Sequence, residues 1–380
     1  MAKFFTRERF GTPQFAAGFL LLIFLAQCLW LVYINPISGS EIARIQRGLD
    51  QWRNGQINIE DPYRSPLYYL VGSFALFSWH GPVDTQSLQP WRWLVRAPWI
   101  CFGVLLGASL WYVARRLYGN AGGYIALLLY CFSPVIIAQS ASYGVQPEIG
   151  AAWGTFGAVF TSIAVAHTLY APRRVLWNWR RIALLGLSLA LAVGSQFSLW
   201  VVLLIALGFL LYLAPGRRGA ALAIFAASCA AALVVLWAGY SLSAAAFLES
   251  IRHARLLDFT PRALLMAANY RRLGQVIVRA SPALIVLVPL ALVTFSVWRR
   301  ARYFGNSAPV IVSGLLLFLG LLNPHQPGLG FVLMTIPILF VFISGVLADL
   351  LETGARNQVF ALASGLLAAN TLWSLVHLPR

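Results

Sequence analysis

The sequence predicts an all-α, polytopic transmembrane helical bundle of about eleven spans, each near the ~20 apolar residues a helix needs to cross a bilayer. Three observations carry that prediction. The 380 residues are 60% hydrophobic and only 10% charged, with a mean hydropathy of +0.75, whereas a soluble chain carries about 25% charged residues. Long apolar segments recur from one end of the sequence to the other. Backbone groups in lipid must be satisfied within their own segment, so these segments are helices, and the short alternating strands of a membrane barrel are not seen in the pattern. The net charge of +17 is laid down as short clusters between apolar segments, namely Arg115-Arg116, Arg173-Arg174, Arg180-Arg181, Arg217-Arg218 and Arg299-Arg300. Cytoplasmic loops have that form under the positive-inside rule. It also argues against a nucleic-acid partner, because no basic stripe with interleaved aromatics lies on a soluble module.

Taken in order, Lys3, Arg7 and Arg9 precede the first apolar stretch, Gln14 to Ile34, and set the N-terminus in the cytoplasm. The stretch is longer than a signal-peptide core and no small-residue cleavage site follows it, so it is expected to remain as an anchor. Residues 35–91 then form an outer-face first loop. Further spans read as 92–113, 121–139, 148–168, 182–196, 198–213, 219–240, 282–298, 307–322, 329–350 and 357–377. This count makes residues 1–380 one integral membrane domain and leaves the C-terminus in the periplasm of a bacterial inner membrane. Leu67 to Trp79 is too short for an ordinary span. A crossing there would move every later Arg-Arg loop outside, so it is kept on the outer surface. Arg181 to Leu213 is too long for one span, and Gly194-Ser195-Gln196 reads as a sharp break between two short helices. Cys28, Cys101, Cys131 and Cys229 lie in apolar segments without metal-ligand spacing and read as small buried hydrophobes.

With this topology most acids face outward. Ile42, Ile45, Leu49 and Trp52 form one apolar stripe at helical spacing, with Arg44, Arg47 and Arg53 on the other face, so a short amphipathic helix is expected to lie on the outer leaflet. Ser38-Gly39-Ser40-Glu41 is a capping box in which Glu41 bonds back to the Ser38 amide. Glu148 follows Pro147 at the start of a helix, where a carboxylate complements the helix dipole. A second outer segment, 241–281, carries Arg252, His253, Arg255, Arg262, Arg271, Arg272 and Arg279. Pairing with Glu249 and Asp258, or contact with anionic lipid headgroups, explains these cations without any substrate. His325, between Pro324 and Pro327, is a turn residue or a ligand, and Glu60-Asp61 is the pair that could join a divalent cation. The sequence requires no other cofactor.

The order of these features resembles the C-type (GT-C) polyprenyl-phosphate-dependent glycosyltransferases, the group containing protein O-mannosyltransferases and bacterial aminoarabinose transferases. The resemblance rests on Glu41 after helix one, Gly55, Ser65-Pro66-Leu67-Tyr68, Arg96, Arg115 to Gly119, Ser133-Pro134 and Glu148. It is looser beyond residue 170, where Gly186 to Gln196 and His325 to Pro337 have counterparts. Ser40-Glu41 stands where those enzymes have Asp-Glu, Glu148 where they have Asp, and the Arg-Tyr before the late helix is missing. The resemblance implies an inverting displacement on the outer face, with a sugar passing from a polyprenyl-phosphate donor to an acceptor hydroxyl. Glu41 first and Glu148 second would be the carboxylate base. Arg96, Arg252, His253, Arg255, Arg262, Arg271, Arg272 and His325 would hold the lipid phosphate. Two other functions are compatible with the sequence: a catalytically degenerate subunit or scaffold working with partner membrane proteins, and a lipid or solute transporter. A transporter would place polar groups on broken helices at mid-membrane, and the 194–196 break is the feature suited to it.

Overall fold

The computed structural model describes residues 11–57, 59–142, 149–170, 179–257, 260–323, 330–353 and 356–376. Among these the structure is helical, without strands. Helix α1, Thr12–Ile34, is the expected first span. It is followed by α2, Gly39–Asn54, and α3, Pro66–Ser73, which pack on each other in the first loop. The apolar stripe of α2 is narrower than its spacing suggested. Ile45 and Leu49 are buried, but so are Glu41, Arg44 and Gln51, whereas Trp52 is 45% exposed and lies tilted beside Phe74.

Helix α4, Arg92–Cys131, is broken at Gly119, whose φ of 73° and ψ of −169° suit only a residue without Cβ. The break folds α4 into a hairpin: Tyr130 of the second limb donates to the carbonyl of Gly103 in the first, at 2.5 Å. From Arg96 to Tyr118 the first limb rises about 33 Å at 1.5 Å per residue, close to one hydrocarbon thickness. These two residues therefore mark opposite ends of the bundle. The second limb continues, after a kink at Phe132-Ser133, into α5, Pro134–Ser140. Thus the spans expected at 92–113 and 121–139 are present, the second interrupted where Pro134 cannot donate a backbone hydrogen bond.

The remaining helices are α6, Ile149–Thr168; α7, Trp179–Ser195; α8, Val201–Leu213; α9, Arg218–Ala238; α10, Ala244–His253; α11, Ala267–Ala280; α12, Leu284–Val297; α13, Phe304–Leu322; α14, Phe331–Leu351; and α15, Arg356–Val376. Every residue of α14 from Phe331 to Ala348 is buried. A helix apolar on all faces belongs at the centre of a bundle, and α14 packs against α4, α6, α12 and α13. Among the described residues seven helical segments are individually long and apolar enough to cross a membrane, or eight if the bent pair α11–α12 counts as one. The other crossings expected from sequence fall on broken or shorter segments, including the second limb of α4 with α5, and α7 and α8 on either side of the 194–196 break. The chain is an integral membrane protein.

Candidate functional site

At the Arg96 end of the bundle the first loop is bonded to three distant segments. Ser65 donates from its amide and its hydroxyl to the Gly194 carbonyl, each at 3.0 Å, and the Phe197 amide donates to Tyr63 at 2.8 Å. The expected break at Gly194-Ser195-Gln196 is therefore real, and backbone groups freed by it are taken up by Tyr63 and Ser65. Gln51 donates to the Gly239 carbonyl at 2.6 Å, and the Arg255 amide to Pro62 at 2.7 Å.

Glu41 and Arg96 form the charged centre of this assembly. Ser38 caps α2, its hydroxyl accepting from the Glu41 amide at 3.2 Å, while the Ser38 amide donates to Glu41 Oε2 at 2.9 Å. The capping box read from the sequence is thus formed. The same carboxylate receives a two-pronged bond from Arg96, Nε to Oε1 and Nη2 to Oε2, both at 2.9 Å. Arg96 also donates to the carbonyls of Asn35 and Pro36 at 2.9 Å. Both side chains are almost fully buried, at 5% and 3% exposure. Arg96, grouped by its chemistry with the arginines of 241–281, thus bonds to Glu41 and the end of α1. One turn along α4, Trp99 lies against Tyr68, and Arg64 sits over the Tyr68 ring at 5.0 Å.

A second polar group adjoins this one through Tyr68 and Tyr69, which meet edge to face. Tyr69 donates to Asp61 Oδ2 at 2.5 Å, the Tyr63 amide donates to Oδ1 at 2.9 Å, and Arg64 approaches Asp61 at 3.6 Å. Arg47 reaches the Tyr69 hydroxyl at 3.4 Å. Burial, with the Asp61 charge added to it, pushes the Tyr69 phenol up to about 12. Asp61 had been considered only as half of an acidic pair for a cation. Its bond from the Tyr63 amide was signalled by Asp61-Pro62-Tyr63, where a side-chain oxygen turning back on the backbone two residues later is common, but nothing local signalled its bond from Tyr69. No group of three His, Cys, Asp or Glu suited to a metal occurs among the described residues.

The 241–281 segment is mostly exposed. Arg252 and His253 face Glu249 at 3.8 and 3.4 Å on the surface of α10. Arg255 lies over the Tyr63 ring at 5.8 Å and joins this segment to the first loop. Arg262, Arg271 and Arg272 are exposed, the last two on α11, whose axis is bent 104° from α12. Glu148, Asp258 and His325 lie outside the described residues. The helix that Glu148 precedes begins at Ile149, and Gly150 packs against Phe102 and Trp99, one turn from Arg96. The far end of the bundle holds a separate network, with Tyr118 donating to Gly305 at 2.5 Å, Asn306 to Asp349 at 2.8 Å, and Arg300 to Glu352 at 3.1 Å. None of the described residues proposed from sequence for the reaction takes part in that network.

No protein-family model matches this chain, and no curated protein sequence does. Solved structures do. ArnT from Cupriavidus metallidurans in the apo state superposes with a TM-score of 0.64 at 14% identity, over 92% of this chain and 63% of that one. The same ArnT bound to undecaprenyl phosphate gives 0.62 at 13% identity, over 92% and 62%. The oligosaccharyltransferase AglB from Archaeoglobus fulgidus, in complex with an inhibitory peptide and a dolichol-phosphate, gives 0.59 at 12% identity, over 96% and 55%. The chain thus spans between about half and two thirds of the length of the structures it matches. Nearly all of it superposes on two transferases of one superfamily, and the protein has the GT-C fold.

Proposed function

We propose that the protein is a membrane glycosyltransferase that takes a sugar from a polyprenyl-phosphate donor on the outer face of a bacterial inner membrane. Its N-terminus would be cytoplasmic and its C-terminus periplasmic. The observation that carries the reading is the Glu41–Arg96 pair. It is a buried, charge-compensated carboxylate directly after the first span, in the fold of one protein solved with undecaprenyl phosphate and another solved with dolichol-phosphate. In the proposed reaction the acceptor oxygen bonds to the anomeric carbon and its proton passes to a carboxylate. The bond from that carbon to the phosphate oxygen breaks, and its electron pair leaves with the lipid phosphate. Glu41 is the first choice of base and Glu148 the second, because the start of α6 packs beside Trp99, near Arg96. Arg96 orients Glu41. Arg252, His253, Arg255, Arg262, Arg271, Arg272 and His325 are assigned to the departing phosphate, where positive charge matters most.

The test is sugar transfer by the reconstituted protein from a polyprenyl-phosphate sugar, with binding of undecaprenyl phosphate followed in parallel by native mass spectrometry. Glu41→Gln or Glu148→Gln is expected to lose transfer by a factor on the order of 10² or more, with lipid-phosphate binding kept. Full activity in both variants would sink the assignment of the base. One observation favours a second reading, a non-catalytic GT-C subunit of a membrane complex. The Glu41 oxygens already accept from the Ser38 amide, the Ser38 hydroxyl and two Arg96 donors. Co-purification in fixed stoichiometry with other membrane proteins, without bound polyprenyl phosphate, would establish that reading instead.

A further inference from the structure

Two broken helices meet inside the bundle, and the last helix reaches both breaks. The second limb of α4 ends at Cys131 before the Ser133-Pro134 kink, and α11 ends at Ala280 before the 104° bend into α12. The Ser133 hydroxyl donates to the Ala280 carbonyl at 2.6 Å, tying one break to the other. From α15, Asn370 accepts at Oδ1 from the Ser281 hydroxyl at 2.7 Å and from the Ala283 amide at 3.2 Å. Its Nδ2 donates to the Phe132 carbonyl at 3.4 Å, which also accepts from Ser374 at 2.5 Å. Ser133, Ser281 and Ser374 are fully buried, and Asn370 is 3% exposed.

The composition of α15 shows what this contact is for. Only three of its residues are buried, Ala363, Asn370 and Ser374, and two of those are the polar residues at the breaks. The apolar contribution of the helix is small: Leu366 and Leu367 pack partly buried against the core, whereas Leu362, Leu372, Trp373 and Leu375 are exposed. Interrupted helices in a membrane leave backbone groups that must find partners within the protein. Asn370 supplies both a donor and an acceptor, one to each break.

We infer that Asn370 is a positioning residue. It sets the bend between α11 and α12 and so fixes the helix that carries Arg271 and Arg272. The inference rests on the proposed function only for what those arginines bind; the pin itself is independent of it. The experiment uses the full chain in lipid nanodiscs, comparing wild type with Asn370→Ala, Ser281→Ala, the double variant and Ser374→Ala. Amide exchange is read over residues 267–283, over 132–140 and over α9 as a reference, and undecaprenyl phosphate is the binding probe. Loss of one such bond is expected to raise exchange over 267–283 by about three- to tenfold and to weaken the probe's affinity by a similar factor. α9 should stay unchanged. Ser374→Ala should act on 132–140 alone, and the double variant should be no worse than Asn370→Ala. Unchanged exchange over 267–283, or an equal rise in α9, overturns the inference. So does a local rise with unaltered affinity in a protein that binds the probe. A local rise in a chain whose wild type does not bind the probe leaves the pin standing and removes the function proposed above. Should Asn370→Ala fail to fold, Ser281→Ala tests the same bond from the other side.

Discussion

Neutralising Glu41 while keeping its shape isolates what holds the first loop onto α4. Glutamine is accepted at the third position of a capping box, so Glu41→Gln can retain the bond from the Ser38 amide and removes only the charge. Arg96 would then keep its two carbonyl acceptors, Asn35 and Pro36, but lose its counter-charge at 3% exposure. Removing one partner of a buried ion pair costs roughly 3–5 kcal/mol, because the other is left uncompensated. Arg96→Met strands the carboxylate instead and falls in the same range. In the double variant neither charge is buried alone, so its loss should be smaller than the sum of the two by at least about 2 kcal/mol. The assay is equilibrium unfolding in mixed micelles, followed by tryptophan fluorescence. Additive single losses, or single variants within about 0.5 kcal/mol of wild type, would refute the reasoning, since surface substitutions behave in that way.

Three other outcomes follow from the geometry. Tyr69, held protonated up to about 12 against its ordinary value of 10.0, contributes stability that is complete below pH 10 and is lost as the pH rises toward 12. A phenolate absorbance titration checks this, and Asp61→Asn should bring the Tyr69 transition down, because it removes the negative charge beside the phenol. Gly119→Ala places a Cβ on a residue at φ 73° and ψ −169°, at a cost on the order of 1–3 kcal/mol, read as a lower unfolding midpoint. Gly48→Ala drives a methyl into Ser73 and the Tyr69 backbone. Separating α2 from α3 should cost roughly 1–3 kcal/mol, with release of α3 detectable as new protease cleavage near residues 66–73.

The features legible in the sequence are those that one segment decides alone. The α1 span, the turn between the spans expected at 92–113 and 121–139, the 194–196 break and the Ser38–Glu41 capping box all follow from local composition and stereochemistry, whereas 121–139, expected as one span, is broken at Phe132-Ser133. What could not be read was partnership. Glu41 lies 55 positions from Arg96 and Asn370 lies 89 from Ser281, and a residue's polarity says that it needs a partner without saying which. Arg44 shows the same limit. Its place among the polar residues of α2 suggested an exposed face, yet it is 8% exposed. The number of spans was blurred for a related reason. Segments such as α5 and α8 are too short to stand alone, and their breaks are stabilised by groups from elsewhere in the chain.

The stitching of the first loop also orders the birth of the molecule. Residues 51–65 find their backbone and side-chain partners at 194, 197, 239 and 255. A ribosome must therefore insert α4, α6, α7, α8 and α9 before the surface begun at Ile34 can close. Until then the Tyr63–Ser65 turn waits unsealed, and the charged pair beside it stands on an unfinished wall. Contacts so distant in sequence make closure slow. The part of the protein translated first is thus among the last to reach its final form.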